Sequence, residues 1–220
     1  MNPLECVIVE TGPNPTFSII WMHGLGADGH DFEPLVPELL ESGMPSLRFV
    51  FPHAPVRPVT INNGYRMRAW YDILGIDRRS AEDFEGVRGS AEAIGALIKR
   101  ENDAGIRSSR IAIAGFSQGG AMALHIATRA TEKFAGVIAL SCYLPFARQF
   151  ATERGNANLA TPFYMAHGTQ DPVVPFQLGE DSKRVLEGTG YKVEWHAYAM
   201  PHSLCQEEVA DLRAFLKRIV

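Results

Sequence analysis

The chain has 220 residues, of which 46% are hydrophobic and 21% charged, with a net charge of −4. This length suits a single domain, 1–220, able to bury roughly 70–75% of the surface its unfolded form exposes, and the composition excludes a disordered or fibrous protein. The acidic balance, with Arg57, Arg66, Arg68, Arg78, Arg79 and Arg88 scattered among Asp and Glu, excludes a phosphate-tracking stripe, so no nucleic-acid partner is expected.

In chain order, Met1 to Cys6 lacks both a basic n-region and an apolar h-region, and no stretch approaches roughly 18 uninterrupted apolar residues, so no transmembrane segment is expected. Short apolar or alternating runs predict strands at Leu4–Val9 and Phe17–Met22, then a glycine-rich turn at 23–29 and a helix over Phe32–Glu41. Pro34 suits the first turn of that helix, whereas Pro37 should shorten or distort it. A third strand, Leu47–Phe51, leads into Pro52 to Arg79, a stretch with little periodicity and much Pro, Gly, Arg and aromatic residue; a loop this long in a compact domain is usually functional. The helix over Asp83–Asn102 carries Gly89 and Gly95, which each weaken it by about 1 kcal/mol relative to alanine unless they serve close packing against a strand. The remaining strands are predicted at Arg110–Ala114, Gly136–Leu140, Pro162–Ala166 and Val193–Tyr198, and the remaining helices at Gln118–Arg129, Phe176–Leu186 and Gln206–Ile219. Strands alternating with helices imply an α/β fold, a mostly parallel sheet of about seven strands flanked by helices on both faces.

The most informative segment is Gly115-Phe116-Ser117-Gln118-Gly119, set between a strand and a helix. A tight strand-to-helix turn lifts a serine hydroxyl above the sheet edge, and it needs glycine on both sides because a Cβ there would strike the neighbouring chain. The helix that follows aims its unpaired N–H groups and positive dipole end at the same place. Ser117 is therefore the candidate nucleophile.

A serine hydroxyl needs a base to take its proton, and the base needs a carboxylate to orient it. In an α/β-hydrolase these follow in the order Ser, acid, His, which leaves His196 and His202. His196 falls inside a strand, where it points sideways into solvent or packing. His202 follows Pro201 in the turn between that strand and the last helix, where a parallel sheet carries its chemistry. Asp171 lies just beyond the strand ending near Ala166, while Glu180 and Asp181 fall on the next helix, away from the sheet edge. The oxyanion hole needs two backbone N–H groups, one after the nucleophile and one from an earlier loop, which nominates Gln118 and Leu25.

Gly24-Leu25-Gly26-Ala27-Asp28-Gly29 also matches the dinucleotide-binding pattern G-x-G-x-x-G. That pattern calls for an acidic residue ending the next strand, and Pro52-His53-Ala54-Pro55 stands there instead, so no nucleotide cofactor is expected. His23 and His30 have no Cys or carboxylate at metal-ligand spacing, and acyl transfer by base, nucleophile and N–H donors needs neither metal nor organic cofactor. Cys6, Cys142 and Cys205, odd in number and without C-x-x-C spacing, suit a reducing compartment and hence the cytoplasm.

Several long motifs occur in order. They are His23 to Gly29, Phe51-Pro52-His53-Ala54-Pro55 with Pro58-Val59-Thr60, Met67 through Trp70-Tyr71-Asp72, Gly115 to Gly120 with Ala121-Met122-Ala123, Ser141-Cys142-Tyr143-Leu144-Pro145, His167 through Pro175, and Pro201-His202-Ser203. Through them the chain resembles, over nearly its whole length, the phospholipase/carboxylesterase family of α/β-hydrolases, which includes small bacterial carboxylesterases and acyl-protein thioesterases. The resemblance implies a Ser117, His202 and Asp171 triad with Leu25 and Gln118 as oxyanion donors. It also implies an apolar acyl groove near Ile73-Leu74-Gly75-Ile76, with Leu74 and Ile76 on one side and Tyr143, Leu144, Val173 and Val174 as further walls. The expected activity is that of a serine carboxylesterase acting on small-molecule or lipid-like acyl esters, and also on acyl thioesters and lysophospholipids, through an acyl-enzyme. A dedicated acyl-protein thioesterase is the narrower alternative. A catalytically silent binding protein is the non-enzymatic one, and the presence of all three triad candidates stands against it. The sequence leaves a homodimer open.

Overall fold

The computed structural model describes residues 3–75 and 81–220. Its centre is a seven-stranded sheet built from β1 (Cys6–Glu10), β2 (Phe17–Met22), β3 (Leu47–Pro52), β6 (Ile111–Phe116), β7 (Gly136–Leu140), β8 (Pro162–Gly168) and β9 (Lys192–Tyr198), in the spatial order β1-β3-β2-β6-β7-β8-β9. All neighbours run parallel except β1, which lies antiparallel to β3 with Cys6 opposite Pro52 and Glu10 opposite Arg48. The alternation of elements predicts the mostly parallel sheet, and the whole is the α/β-hydrolase arrangement that the resemblance implies.

Parallel strands covered on both faces should read as unbroken apolar runs. Phe17-Ser18-Ile19-Ile20-Trp21-Met22 does so apart from Ser18 and is buried at every position, as are Gly136 to Leu140. One face packs on a cluster containing Ile20, Val50, Ile113, Val137, Phe163 and Met165, which meets α2 (Phe84–Asp103), α3 (Gln118–Arg129) and α5 (Phe176–Gly188). The other face holds Phe17, Trp21, Phe49, Phe51 and Tyr164 under α1 (Val36–Leu39) and α6 (Gln206–Ile219), which contributes Phe215 to the same cluster. The Asp83 carboxylate caps α2 by accepting the Gly86 N–H at 2.9 Å.

Three expectations need correction. The helix predicted over 32–41 is a 3-10 turn, Glu33–Leu35, followed by the single turn α1, because Pro37 has no N–H to extend the hydrogen-bond ladder. The loop from Pro52 contains a two-stranded hairpin, β4 (Val56–Val59) and β5 (Tyr65–Arg68), closed through Asn63 and Gly64, both at positive φ. Close packing does not explain Gly89 and Gly95, since a Cβ at either would meet no heavy atom within 4 Å. A further single turn, α4 (Phe150–Glu153), stands between β7 and β8.

Candidate active site

Ser117 occupies the turn between β6 and α3 at φ 55° and ψ −121°, a conformation that an L-residue reaches only at a cost of about 1–3 kcal/mol. Two glycines permit it. A Cβ on Gly115 would stand 2.2 Å from the Gly119 carbonyl carbon, and one on Gly119 would stand 2.1 Å from the Met22 carbonyl oxygen. The first turn of α3 is thus pressed against the ends of β6 and β2. The Ser117 N–H is tied to the Leu140 carbonyl at 2.8 Å, which fixes the turn to β7 as well.

The loops leaving β8 and β9 are stitched together. The Thr169 N–H bonds the Tyr198 carbonyl at 2.8 Å and the Gln170 N–H bonds the Met200 carbonyl at 3.1 Å. These contacts bring Asp171 to His202 across 31 residues of sequence, with Nδ1 of the imidazole 2.6 Å from Asp171 Oδ2. The Asp171 side chain is fully buried, and its Oδ1 accepts the N–H groups of Val173 at 2.8 Å and Val174 at 2.9 Å. The carboxylate is therefore oriented by backbone before it orients anything else. The His202 ring packs beside Phe116, the residue preceding Ser117, at 4.7 Å between centroids. Ser117 Oγ makes no hydrogen bond to a described residue.

His196 behaves as its place in a strand predicts: it stacks on Tyr164 at 4.8 Å and faces Glu194 at 3.0 Å. Asp181 and Glu180 lie on α5 and pair with Arg184. His23, on the glycine-rich loop, has both ring nitrogens engaged: Nε2 accepts the Ala54 N–H at 3.0 Å and Nδ1 faces the Gly24 carbonyl at 2.7 Å. Burial pulls its pKa down to about 4, so the ring is neutral. The loop does not enter a helix directly, as a dinucleotide fold would require; the next helical turn starts at Glu33.

A cavity of about 800 Å³ opens beside Ser117. Leu25 and Gln118 line it, as do Tyr143, Leu144, Val173 and Val174, together with Ile61, Tyr71 and Ile73. Leu74 does not. It is 44% exposed, and Ile73 beside it takes the place on the cavity wall. Ile76 lies outside the described residues. The phenols of Tyr71 and Tyr143 meet at 3.0 Å, and burial raises both pKa values, so they stay protonated. Sequence reasoning also missed His167, the penultimate residue of β8, fully buried, with Nε2 2.9 Å from the Val174 carbonyl and 3.4 Å from Asp171 Oδ2. The spacing of four between His167 and Asp171 is the signal that could have found it.

A hydroxyl at a strained turn, an imidazole fixed by a buried carboxylate, and an adjoining apolar cavity are the parts acyl transfer requires. Comparison with known proteins agrees. Residues 4–220 match the model of the phospholipase/carboxylesterase family. The chain is 40% identical to acyl-protein thioesterase 1 of Gibberella zeae, over 92% of this chain and 90% of that one. It is 41% identical to acyl-protein thioesterase 1 of Neurospora crassa, over 96% and 89%. The crystal structure of Zea mays acyl-protein thioesterase 2 superposes with a TM-score of 0.86 at 25% identity, covering 98% of each chain.

Proposed function

Because the chain belongs to the phospholipase/carboxylesterase family and is a hydrolase, we propose that it cleaves carboxylic esters and acyl thioesters through an acyl-enzyme on Ser117. The observation that carries this reading is the 2.6 Å contact between His202 Nδ1 and the buried Asp171, beside a serine held at positive φ on the wall of an apolar cavity. Ser117 Oγ attacks the acyl carbon while its proton passes to His202 Nε2, and Asp171 stabilises the imidazolium that results. The carbonyl oxygen, now negative, accepts the N–H groups of Leu25 and Gln118, neither of which has an acceptor among the described residues. Collapse of this intermediate breaks the bond to the leaving alkoxide or thiolate, which takes the proton from His202 and departs as the alcohol or thiol. Water then attacks the acyl-enzyme with His202 again as base, releasing the acid and restoring Ser117.

The acyl chain is assigned to the cavity walls at Ile73, Tyr143, Leu144, Val173 and Val174. One narrower reading has a specific observation in its favour: relatives about 40% identical are named acyl-protein thioesterase 1, which suggests lipid-modified proteins as substrates. A panel of p-nitrophenyl esters and acyl thioesters graded by chain length, with an S-acylated peptide beside them, separates the two. Ser117→Ala tests the shared chemistry. Its kcat should fall by about 10⁴ or more, and a fluorophosphonate probe should label the wild type alone. Equal labelling of both proteins would remove Ser117 from the mechanism.

A further inference from the structure

The two proposed oxyanion donors are 93 residues apart in sequence but leave paired strands, each three residues beyond the Met22–Gly115 pair, on segments that run free of the sheet ladder. A chain of side-chain hydrogen bonds runs between them. The Gln118 side chain, 3% exposed, grips the backbone of residues 70 and 71 at both ends: Oε1 accepts the Trp70 N–H at 2.7 Å, and Nε2 donates to the Tyr71 carbonyl at 2.8 Å. The Trp70 indole, fully buried, reaches the other way and donates from Nε1 to the His23 carbonyl at 2.9 Å. The Trp70 carbonyl is held in turn by Ser90 Oγ.

The far end is anchored just as closely. The imidazole of His23 lies 5.2 Å from the Trp70 ring, accepts from the Ala54 N–H and donates to the Gly24 carbonyl. The Gly26 N–H bonds the Arg68 carbonyl at 2.9 Å. Between His23 and Gly26, the His23 and Gly24 carbonyls and the Gly26 N–H are all engaged, whereas the Leu25 N–H is left without an acceptor among the described residues. Gln118 shows the same pattern, with its side chain engaged at both ends and its own N–H left over. A buried amide oxygen, an amide nitrogen and an indole N–H are costly to leave unpaired, so this line of bonds resists stretching.

Resting on the acyl-transfer reading above, we infer that the side chains of Gln118 and Trp70 form a brace that sets the distance between the Leu25 and Gln118 N–H donors, with His23 as its far anchor. Trp70, His23 and the Gln118 side chain are thus positioning residues: they touch no reacting atom but hold two donors at the spacing the tetrahedral oxygen needs. The developing charge is felt through these donors, so loosening the brace lowers kcat and leaves substrate binding unchanged.

Two variants test it. Trp70→Phe keeps an aromatic ring and removes the indole N–H, and Gln118→Met keeps the length of the side chain and removes both grips. Each is assayed on a p-nitrophenyl ester and on the matching thionoester, whose C=S sulfur is a poor acceptor for an oxyanion hole. Wild type should hydrolyse the oxygen ester much faster. Each variant should lose about 10- to 100-fold in kcat on the oxygen ester, with KM within about twofold, and lose far less on the thionoester, so that the oxo/thiono ratio drops about tenfold. A merely structural role would slow both substrates alike. An unchanged ratio in folded variants, or a loss confined to KM, overturns the brace. If Trp70→Phe fails to fold, Gln118→Met, which removes no ring, decides the matter by the same ratio. A wild type that shows no preference for the oxygen ester, or takes no fluorophosphonate label, would instead overturn the acyl-transfer reading on which the brace rests.

Discussion

Asp171→Asn changes little in shape and should nearly abolish turnover. Asp171 Oδ1 accepts two backbone N–H groups while Oδ2 faces His202 Nδ1 at 2.6 Å. An asparagine keeps the two backbone bonds only by giving its carbonyl oxygen to them, which turns its NH₂ toward His202 Nδ1. The imidazole must then carry its proton on Nε2, the nitrogen that has to accept the proton of Ser117. Flipping the amide would break both backbone bonds and set donors against donors, a cost of about 3 kcal/mol that leaves roughly one molecule in a hundred productive. Loss of the carboxylate charge beside the imidazolium removes about 2–3 kcal/mol more in the transition state. Together these predict a fall in kcat of about 10⁴ with KM near the wild-type value. Steady-state hydrolysis of a p-nitrophenyl ester measures it, with thermal melting as the folding control. Asp171→Ala imposes no tautomer, so it should lose no more kcat than the asparagine variant, yet melt lower because the Val173 and Val174 N–H groups lose their acceptor. An Asp171→Asn enzyme that keeps more than about a tenth of wild-type kcat would refute the tautomer argument.

Two other perturbations follow from buried or misjudged positions. Glu208 is fully buried on α6, neither carboxylate oxygen meets hydrogen-bond geometry among the described residues although the Cys205 N–H favours its charge, and burial pushes its pKa from 4.5 up to about 8. A pKa raised by folding gives stability that is complete below about pH 4.5 and is lost as pH climbs to about 8, so Glu208→Gln should flatten the decline in urea midpoint across that window; parallel profiles for the two proteins would contradict this. In the cavity, kcat/KM should rise with acyl length at up to about 0.8 kcal/mol per buried methylene until the space is filled. Ile73→Asp should flatten that rise while acetate esters are still cleaved, whereas Leu74→Asp, on the outward side, should leave it intact; the reverse result would return Leu74 to the groove.

What could be read from the sequence followed from local rules that tertiary contacts do not override. The apolar runs at 17–22, broken only by Ser18, and at 136–140 read as buried strands, and Gly115 and Gly119 declared a turn in which backbone touches backbone. The order of Ser117, Asp171 and His202 was legible for the same reason: each follows a strand end, where side chains of a parallel sheet converge. The hairpin at 56–68 was not, because Val56-Arg57-Pro58-Val59 and Tyr65-Arg66-Met67-Arg68 lie largely in solvent and show no apolar alternation; only Asn63-Gly64 marked the reversal. The inward side chain of 73 and 74 depends on how that hairpin ties down the chain, through the Ile61 N–H to the Ile73 carbonyl and Thr60 to Asp72. His167, Trp70 and the Gln118 side chain escaped because their roles are made of hydrogen bonds between distant segments, which leave no periodic trace.

The way the proposed triad spreads across the sheet sets the order in which heat should dismantle it. Ser117 follows directly on β6, which has β2 on one side and β7 on the other, and both flanking strands are buried at every position. Asp171 and His202 hang from β8 and β9, and β9 is the outermost strand, with no fully buried residue along its length. Peripheral segments with little buried surface open at lower free energy than a core does. On warming, the β9 margin should fray first and take the histidine with it, so the working lifetime of the enzyme is governed by its outer seam. Mutations intended to prolong that lifetime belong where α6 and β9 close over the sheet rather than around the nucleophile.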